Sequence, residues 1–299
     1  MPRVIAIADD AAIGLPECVD ALRAAGFDPA DEDSLAHGAR QLRRLGNERS
    51  FLGDLLVGQL AARHSDAEDR NSYGPQVIML APADGGEFFM RANIWPSQSE
   101  HAMRASGGAN FVYGLPHDHN FDFLTLGYFG PGYWSDYYEF DYEDTVGFRG
   151  EEVALRFVER SRLEQGKIMH YRAHRDVHAQ MPGDALSVSI NILHASGAQG
   201  WLDQYSFDIE NRRIGRILSN GSSEAFIRIA VGLGCAEAHD LAARFARHHP
   251  SDRMRLAAWG ALASVADGKT ARDEVWRAAE GCGSRLVAAE ARNRREALG

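Results

Sequence analysis

Short runs of alternating apolar and polar positions fill the middle of the chain, whereas helical spacing dominates both ends. The central runs are rich in Val, Ile, Phe, Tyr and Trp, and turn signals separate most of them. The predicted strands are Val77–Leu80, Glu87–Trp95, Phe121–Tyr128, Tyr133–Tyr142, Val153–Val158, Lys167–Ala173, Leu186–Leu193 and Tyr205–Ile209, with Phe111–Tyr113 leading into the third. Many short strands without a long helix between them predict an antiparallel sandwich or barrel.

The two ends are predicted to be helical. Ser34 and Ser50 can each cap a helix with leucines on one side, and loop signals lie at 28–33 and at Asn71–Pro75. After about residue 222 the expected helices are Glu237–His248, Asp252–Ala266 (capped by Ser251), Lys269–Ala279 and Ser284–Ala297. The predicted domains are a helical segment 1–75, a barrel 76–215 and a helical segment 216–299. The last is expected to pack on the barrel or on a second subunit, as in a homodimer.

Composition narrows the functional classes. The 299 residues are 45% hydrophobic and 25% charged, which is ordinary for a globular protein with a core, so the fold class expected is α+β, mainly β with helical flanks. A formal net charge of -10 argues against a nucleic-acid partner. Cys18, Cys235 and Cys282 have no paired spacing, which favours reduced thiols in a cytoplasmic protein. No apolar run has the length of a signal peptide or a membrane span, so no membrane partner is expected.

Histidines form two groups in the predicted barrel. His117 and His119 sit in Gly-Leu-Pro-His-Asp-His, and residues two apart on a strand point to the same side. The second group is His170, His174 and His178. Imidazole is a ligand for Fe, Zn, Ni and Cu, and three or four nitrogen or oxygen ligands make a catalytic site with an open position.

The first group, with the Gly-Pro-Gly hairpin behind it and Glu139 farther on, resembles the first motif of the cupin superfamily. Its His-Asp-His opening is similar to cysteine-dioxygenase-like cupins. The resemblance covers about 76–210 and implies a double-stranded β-helix (cupin, or jelly-roll) barrel with a mononuclear non-haem Fe(II) held by three histidines. It assigns His117 and His119 as two ligands and takes the third from the second histidine group. Leu124 stands where thiol dioxygenases carry a crosslinked cysteine, so neither that crosslink nor a cysteine substrate is expected.

The third ligand is a choice among three histidines, and we expect it to be His178. On a regular strand over 167–173, His170 and His174 share one face, whereas His178 follows and enters from a separate bend. A second possibility is His174 with Asp176, which matches the His-x-Asp pair of 2-oxoglutarate oxygenases.

Glu139 is the candidate fourth ligand, or a carboxylate close behind the ligands. A three-residue hairpin loop, Gly130–Gly132, would place it on the face of His117 and His119, and a two-residue loop would turn it away. In the second case it is an ordinary exposed strand residue.

Other polar residues are candidates for catalysis. Arg172 and Arg175 are candidate clamps for a substrate carboxylate, because guanidinium binds carboxylate with two parallel hydrogen bonds. Tyr128, Tyr133 and Tyr137 are candidates to donate protons or to orient dioxygen or substrate.

The sequence therefore predicts a metal-dependent oxidoreductase of the dioxygenase type. Its expected partners are a small-molecule or amino-acid-like substrate and dioxygen, and its expected metal is Fe(II). One alternative is a non-oxidative enzyme, an isomerase or hydrolase, with Zn, Mn or Ni as Lewis acid on the same ligands. Another is a non-catalytic barrel that binds a small molecule or a partner.

Overall fold

The computed structural model describes residues 2–63, 76–219 and 221–299. The predicted loop at Asn71–Pro75 lies outside these residues. The chain divides into two compact units. The first consists of Met1–Tyr142, Val153–Ser196 and Ser206–Arg212, and the second of Glu143–Glu152, Gly197–Tyr205 and Arg213–Gly299.

The described residues form an α+β protein, as predicted. The strands are β1 (Arg3–Ile5), β2 (Val77–Ala81), β3 (Phe88–Trp95), β4 (Phe123–Phe129), β5 (Tyr133–Glu139), β6 (Arg156–Leu163), β7 (Ile168–Tyr171), β8 (Asp176–Met181), β9 (Ser187–His194), β10 (Tyr205–Asp208) and β11 (Arg213–Ile217). The helices are α1 (Leu15–Ala25), α2 (Glu32–Asn47), α3 (Phe51–Arg63), α4 (His101–Ser106), α5 (Ser223–Gly232), α6 (Ala236–His248), α7 (Asp252–Val265), α8 (Gly268–Glu280) and α9 (Arg285–Leu298).

Two antiparallel sheets build the first unit. One has six strands in the order β1-β7-β4-β9-β3-β2, and the other has three in the order β6-β5-β8. Within the larger sheet, Asn191 of β9 lies between Arg91 of β3 and Thr125 of β4. Residues directly opposite each other share a face, so this row of polar side chains marks the inner side of the sheet.

The two faces of the six-stranded sheet bury different cores. Leu124, Leu126, Ile190 and Ile192 point outward and pack with the buried leucines of the N-terminal helices. The inner face shares an aromatic core with the three-stranded sheet. Its buried members are Trp95, Phe123, Tyr133, Tyr137, Leu163, Met169, Tyr171 and Leu193. The alternation along each strand therefore separates a structural layer from an aromatic interior.

Several local predictions were wrong. His178, which was expected to enter from a bend, lies in a strand of its own, β8. The N-terminal segment contributes a strand, with Arg3 opposite His170 of β7. Helix α2 begins before Ser34, because the side chain of Asp31 accepts from the Asp33 amide and caps it. The stretch predicted to lead extended into the histidine motif is a 3-10 helix, Gly108–Phe111, ending at Val112 with φ 59°.

The second unit has a small-residue helical core. Ala242, Ala246, Ala258 and Val287 are among its fully buried side chains. Ser251 caps α7 as predicted, because its hydroxyl accepts from the Met254 amide at 3.3 Å. In the parts of the chain that the structure describes, no helix combines the length and the apolar character needed to cross a membrane.

Candidate metal centre

The first histidine of the motif is fixed by its backbone. His117 lies outside the named strands and forms an isolated antiparallel bridge with His178 of β8. The His117 amide donates to the His178 carbonyl at 3.0 Å, and the His178 amide donates back at 2.9 Å. A pair that exchanges both hydrogen bonds has its side chains on one face, so the two imidazoles face the same interior.

The second histidine is fixed by aromatic packing and by a backbone bond. The imidazole of His119 lies 4.9 Å from the ring of Phe121 and 4.8 Å from that of Phe123, between ring centroids. Its carbonyl accepts from the His174 amide at 2.8 Å. His119 therefore points to the same side as His117, as their spacing predicts.

The three imidazoles converge through the same ring atom. The Nε2 atom of His178 lies 3.1 Å from Nε2 of His119 and 3.2 Å from Nε2 of His117. All three side chains are buried, with 5%, 8% and 3% exposure for His117, His119 and His178. Among the described residues they form a group whose ligand atoms lie within 4.8 Å of one another.

Burial keeps these imidazoles uncharged. It lowers the pKa of His117 to about 4, although a hydrogen bond to the Leu115 carbonyl raises it somewhat. Burial also lowers the pKa of His119 and of His178 well below the ordinary value, and the neighbouring histidines lower both further. The Leu115 carbonyl, 2.8 Å from Nδ1 of His117, can only accept, so Nδ1 carries the ring proton and Nε2 keeps its lone pair.

This arrangement fits a metal ion. Three neutral imidazoles bring their Nε2 atoms together, and a cation between them would be bound by the Nε2 lone pairs. Nitrogens about 2.1 Å from one ion, at roughly right angles to each other, stand about 3 Å apart, close to the observed separations. The set of neutral nitrogen donors suits Fe, Zn, Ni and Cu. The residues His117, His119 and His178 thus form a three-histidine metal-binding group.

A small cavity adjoins the histidines. Its volume is about 130 Å³, and it is lined on one side by the aromatic core. Val77 and Val112 also line it, and its polar lining besides the histidines consists of Gln76, Arg91, Asn93, Tyr133, Gln180 and Asn191. A cavity of this size accepts a substrate of a few heavy atoms, and its wall offers one cation and several hydrogen-bonding groups.

Tyr133 is the predicted tyrosine that reaches the cavity. Burial raises its pKa well above the ordinary value, so its phenol stays protonated at neutral pH. Its ring packs on Trp95 with centroids 4.0 Å apart. The Tyr133 hydroxyl is therefore fixed in position and can donate a hydrogen bond to a bound molecule.

The other two predicted tyrosines lie elsewhere. Tyr128 is on the outer face of β4, and its hydroxyl donates to the carbonyls of Glu48 and Arg49. The hydroxyl of Tyr137 lies 2.9 Å from that of Tyr171, in the aromatic core. Neither lines the cavity, because their backbone positions aim them at packing partners; their structural places do not support the predicted catalytic roles.

Glu139 belongs to an arginine cluster rather than to the histidine group. The predicted hairpin does not form, because β4 and β5 lie in different sheets. Glu139 is on the inner face because it pairs with Asp176, two positions along from the Tyr137–His178 pair. Its carboxylate binds Arg156, Arg172 (2.9 Å) and Arg175 (3.7 Å). Glu139 thus shares the inner face with His178, but it lies two residue pairs farther along β5 and β8 and is neutralised by arginines, which does not support a ligand role.

The cluster around Glu139 includes Arg172 and Arg175, the two arginines predicted to clamp a substrate carboxylate. Arg172 binds Asp176 at 2.6 Å as well as Glu139, and Asp176 raises its pKa. Arg175 is half exposed. Arg172 and Arg175 therefore pair with protein carboxylates, and neither lines the cavity.

The remaining histidines of the second group point away from the cavity. Nε2 of His170 lies 3.1 Å from the Asp122 carboxylate. His174 adopts a left-handed backbone with φ 57° and packs on the ring of Tyr142. Because Asp176 is bound by Arg172, a His174–Asp176 ligand pair is not supported.

Two polar residues of the cavity have no motif in the sequence. Arg91 stands in β3 among apolar residues, and Gln180 stands two positions after His178 in β8. Strand alternation alone puts Gln180 on the same face as His178, so this residue could have been found once His178 was chosen. Arg91 could not have been found in this way, because its location depends on the pairing of β3 with β9.

Comparisons with known proteins are sparse. No protein-family model matches the chain, and no curated protein matches it. A chain from the crystal structures of the DMSP lyases RdDddP and RnDddQII is 15% identical over 64% of this chain and 77% of that one, with a TM-score of 0.27. The DMSP lyase DddQ from Ruegeria pomeroyi DSS-3 is 11% identical over 66% of this chain and 79% of that one, with a TM-score of 0.25.

A third structure has a similarly low TM-score. The 7S globulin of Momordica charantia is 12% identical over 44% of this chain and 36% of that one, with a TM-score of 0.23. TM-scores this low do not establish a common fold. The proposals below therefore rest on the residues of the site.

Proposed function

We propose that this protein is a mononuclear metalloenzyme whose ion is held by His117, His119 and His178, and that it is an Fe(II)-dependent oxygenase. The observation that carries the proposal is the convergence of three buried, neutral imidazoles at Nε2 separations of 3.1 and 3.2 Å. Three protein nitrogens leave open positions for small molecules. When bound there, iron supplies redox chemistry toward dioxygen.

We further propose that the two sheets, apart from β1, form a cupin barrel within 76–215. Antiparallel pairing in both sheets supports it, as does the aromatic core that they share. The site lies at this interior, where His117 bridges to β8 of the smaller sheet. A barrel interior of this kind shields the reacting groups from bulk water.

The cavity supports a small substrate with an anionic group. Its volume of about 130 Å³ excludes large molecules. The guanidinium of Arg91 reaches the site closely enough to lower the pKa of His117 and His119 by charge repulsion. A cation held beside the histidines attracts a carboxylate or a similar group, and Tyr133 adds a hydroxyl donor.

Oxygen consumption tests the oxygenase proposal. The protein is purified without air, loaded with Fe(II) and mixed with a panel of small carboxylic acids in an oxygen electrode. We expect substrate-dependent oxygen uptake that disappears in His119→Ala and in protein loaded with Zn(II). Uptake equal to the metal-free background for every compound would contradict the oxygenase proposal while leaving the metal site intact.

A non-oxidative enzyme is the second candidate, and the protonated phenol of Tyr133 favours it. A Lewis-acid ion together with a held proton donor and Arg91 is sufficient for elimination, isomerisation or hydrolysis without dioxygen. Turnover by the Zn(II)-loaded protein in the absence of air would support this candidate over the oxygenase.

A further inference from the structure

We infer that Gln180 supplies a fourth protein donor to the metal centre through its amide oxygen, Oε1. The inference rests on the proposed three-histidine metal site and adds a ligand that is neither histidine nor carboxylate. It also replaces Glu139, which the arginine cluster engages.

The amide of Gln180 stands among the ligand atoms. Its Nε2 lies 3.1 Å from Nε2 of His178, as close as the Nε2 atoms of His119 and His117, at 3.1 and 3.2 Å. The same Nε2 is 3.2 Å from Nδ1 of His178, so the amide lies against that ring. The side chain is 3% exposed and lines the cavity.

The oxygen of this amide has no partner. Oε1 of Gln180 is buried and accepts no hydrogen bond, which is unusual for a carbonyl oxygen in a protein interior. A half-turn of the amide about its last bond exchanges Oε1 and Nε2, and the two atoms are nearly indistinguishable by shape. Beside uncharged imidazoles the NH₂ group lies over the ring of His178, nearly equidistant from its two nitrogens. Beside a cation the oxygen is the favoured atom, and rotation about the last side-chain bonds of Gln180 would turn it toward the ion.

The carboxylate next to His178 on the inner face of β8 does not compete for this place. Asp176 is two residues before His178 on β8, on the same face, and Arg172 binds both of its oxygens. Three imidazoles and an amide are all neutral, so a divalent ion would keep its full charge in a buried cavity. Such a centre favours an anionic substrate more strongly than one that contains a carboxylate ligand.

A Co(II) titration of the full-length protein tests the inference, with visible absorption as the readout, because the Co(II) bands report coordination. We expect Gln180→Leu to weaken Co(II) binding by roughly tenfold or more and to change the band positions. Gln180→Glu, which restores an oxygen donor, should bind at least as tightly as the wild type. The matched control is Glu139→Gln, which removes a carboxylate of the arginine cluster and should leave both affinity and bands unchanged.

The outcomes separate the two proposals. A wild-type protein that binds no Co(II) would overturn the metal site and the role of Gln180 together. Wild-type binding with an identical dissociation constant and spectrum in Gln180→Leu would overturn the role of Gln180 alone. If circular dichroism shows that Gln180→Leu is unfolded, Gln180→Glu decides, because a spectrum identical to that of the wild type would again overturn the inference.

Discussion

His117 and His178, 61 residues apart in sequence, exchange two backbone hydrogen bonds and bring their Nε2 atoms to 3.2 Å. The backbone bonds, 3.0 and 2.9 Å long, fix both Cα atoms before any ion is bound. The ligand group is therefore pre-organised, and ion binding needs little rearrangement of the chain.

Loss of one imidazole should abolish tight metal binding. We expect His178→Ala to lower metal affinity by more than about a hundredfold, since it leaves only two histidine donors. The matched control is His170→Ala, which removes a buried histidine that pairs with Asp122. Metal content after dialysis, measured by mass spectrometry, should be near zero in His178→Ala and equal to wild type in His170→Ala. Equal content in both variants would contradict the assignment of the third ligand.

Metal binding should persist to unusually low pH. An imidazole must be unprotonated to bind an ion, and affinity falls as pH drops through its folded pKa. The pKa of His117 is about 4, and burial holds those of His119 and His178 well below the ordinary value. We therefore expect affinity to change little from pH 7.5 to about 5.5, where exposed histidines with pKa about 6.5 already take up protons. A tenfold loss per pH unit beginning near pH 6.5 would show that the imidazoles titrate normally.

The metal-free protein should lose stability as the pH falls below about 6.5. The unfolded chain takes up protons at a pKa of about 6.5, whereas folded His117 does so only at about 4. Stability is therefore full above about pH 6.5 and falls until the pH reaches about 4, by about 3 kcal/mol for a shift of this size. Urea unfolding at a series of pH values in the presence of a chelator measures this. Metal at about a hundred times its dissociation constant should add about 3 kcal/mol to the stability of the metal-free protein at neutral pH.

Gly46 of helix α2 lies against the larger sheet, and we expect this position to tolerate no side chain. A Cβ added at Gly46 would stand 2.5 Å from Cδ2 of the buried Leu126. We expect Gly46→Ala to destabilise the protein by about 1–3 kcal/mol through overpacking. Gly58→Ala in α3 is the matched control, because nothing lies within 4 Å of its added Cβ, and it should be neutral or stabilising by up to about 1 kcal/mol. Thermal unfolding of both variants checks the pair, and equal melting temperatures would refute the close approach.

Strand periodicity made part of the site predictable from the sequence. It placed His117 and His119 on one face. The predicted hairpin was wrong, because β4 and β5 lie in different sheets, and Glu139 reaches the inner face through the pairing of β5 with β8. Periodicity says nothing about which polar groups pair across strands, and that is why the capture of Glu139 by Arg172 was missed. The inward position of Arg91 and the pairing of β1 with β7 depend on long-range strand order, which local patterns do not encode.

Anomalous scattering from a crystal of protein purified without air and loaded with Fe(II) tests the central claim most directly. The account predicts one strong difference peak at the iron edge, within bonding distance of Nε2 of His117, His119 and His178. A map with no peak at the three histidines, or with its peak elsewhere on the chain, would contradict it.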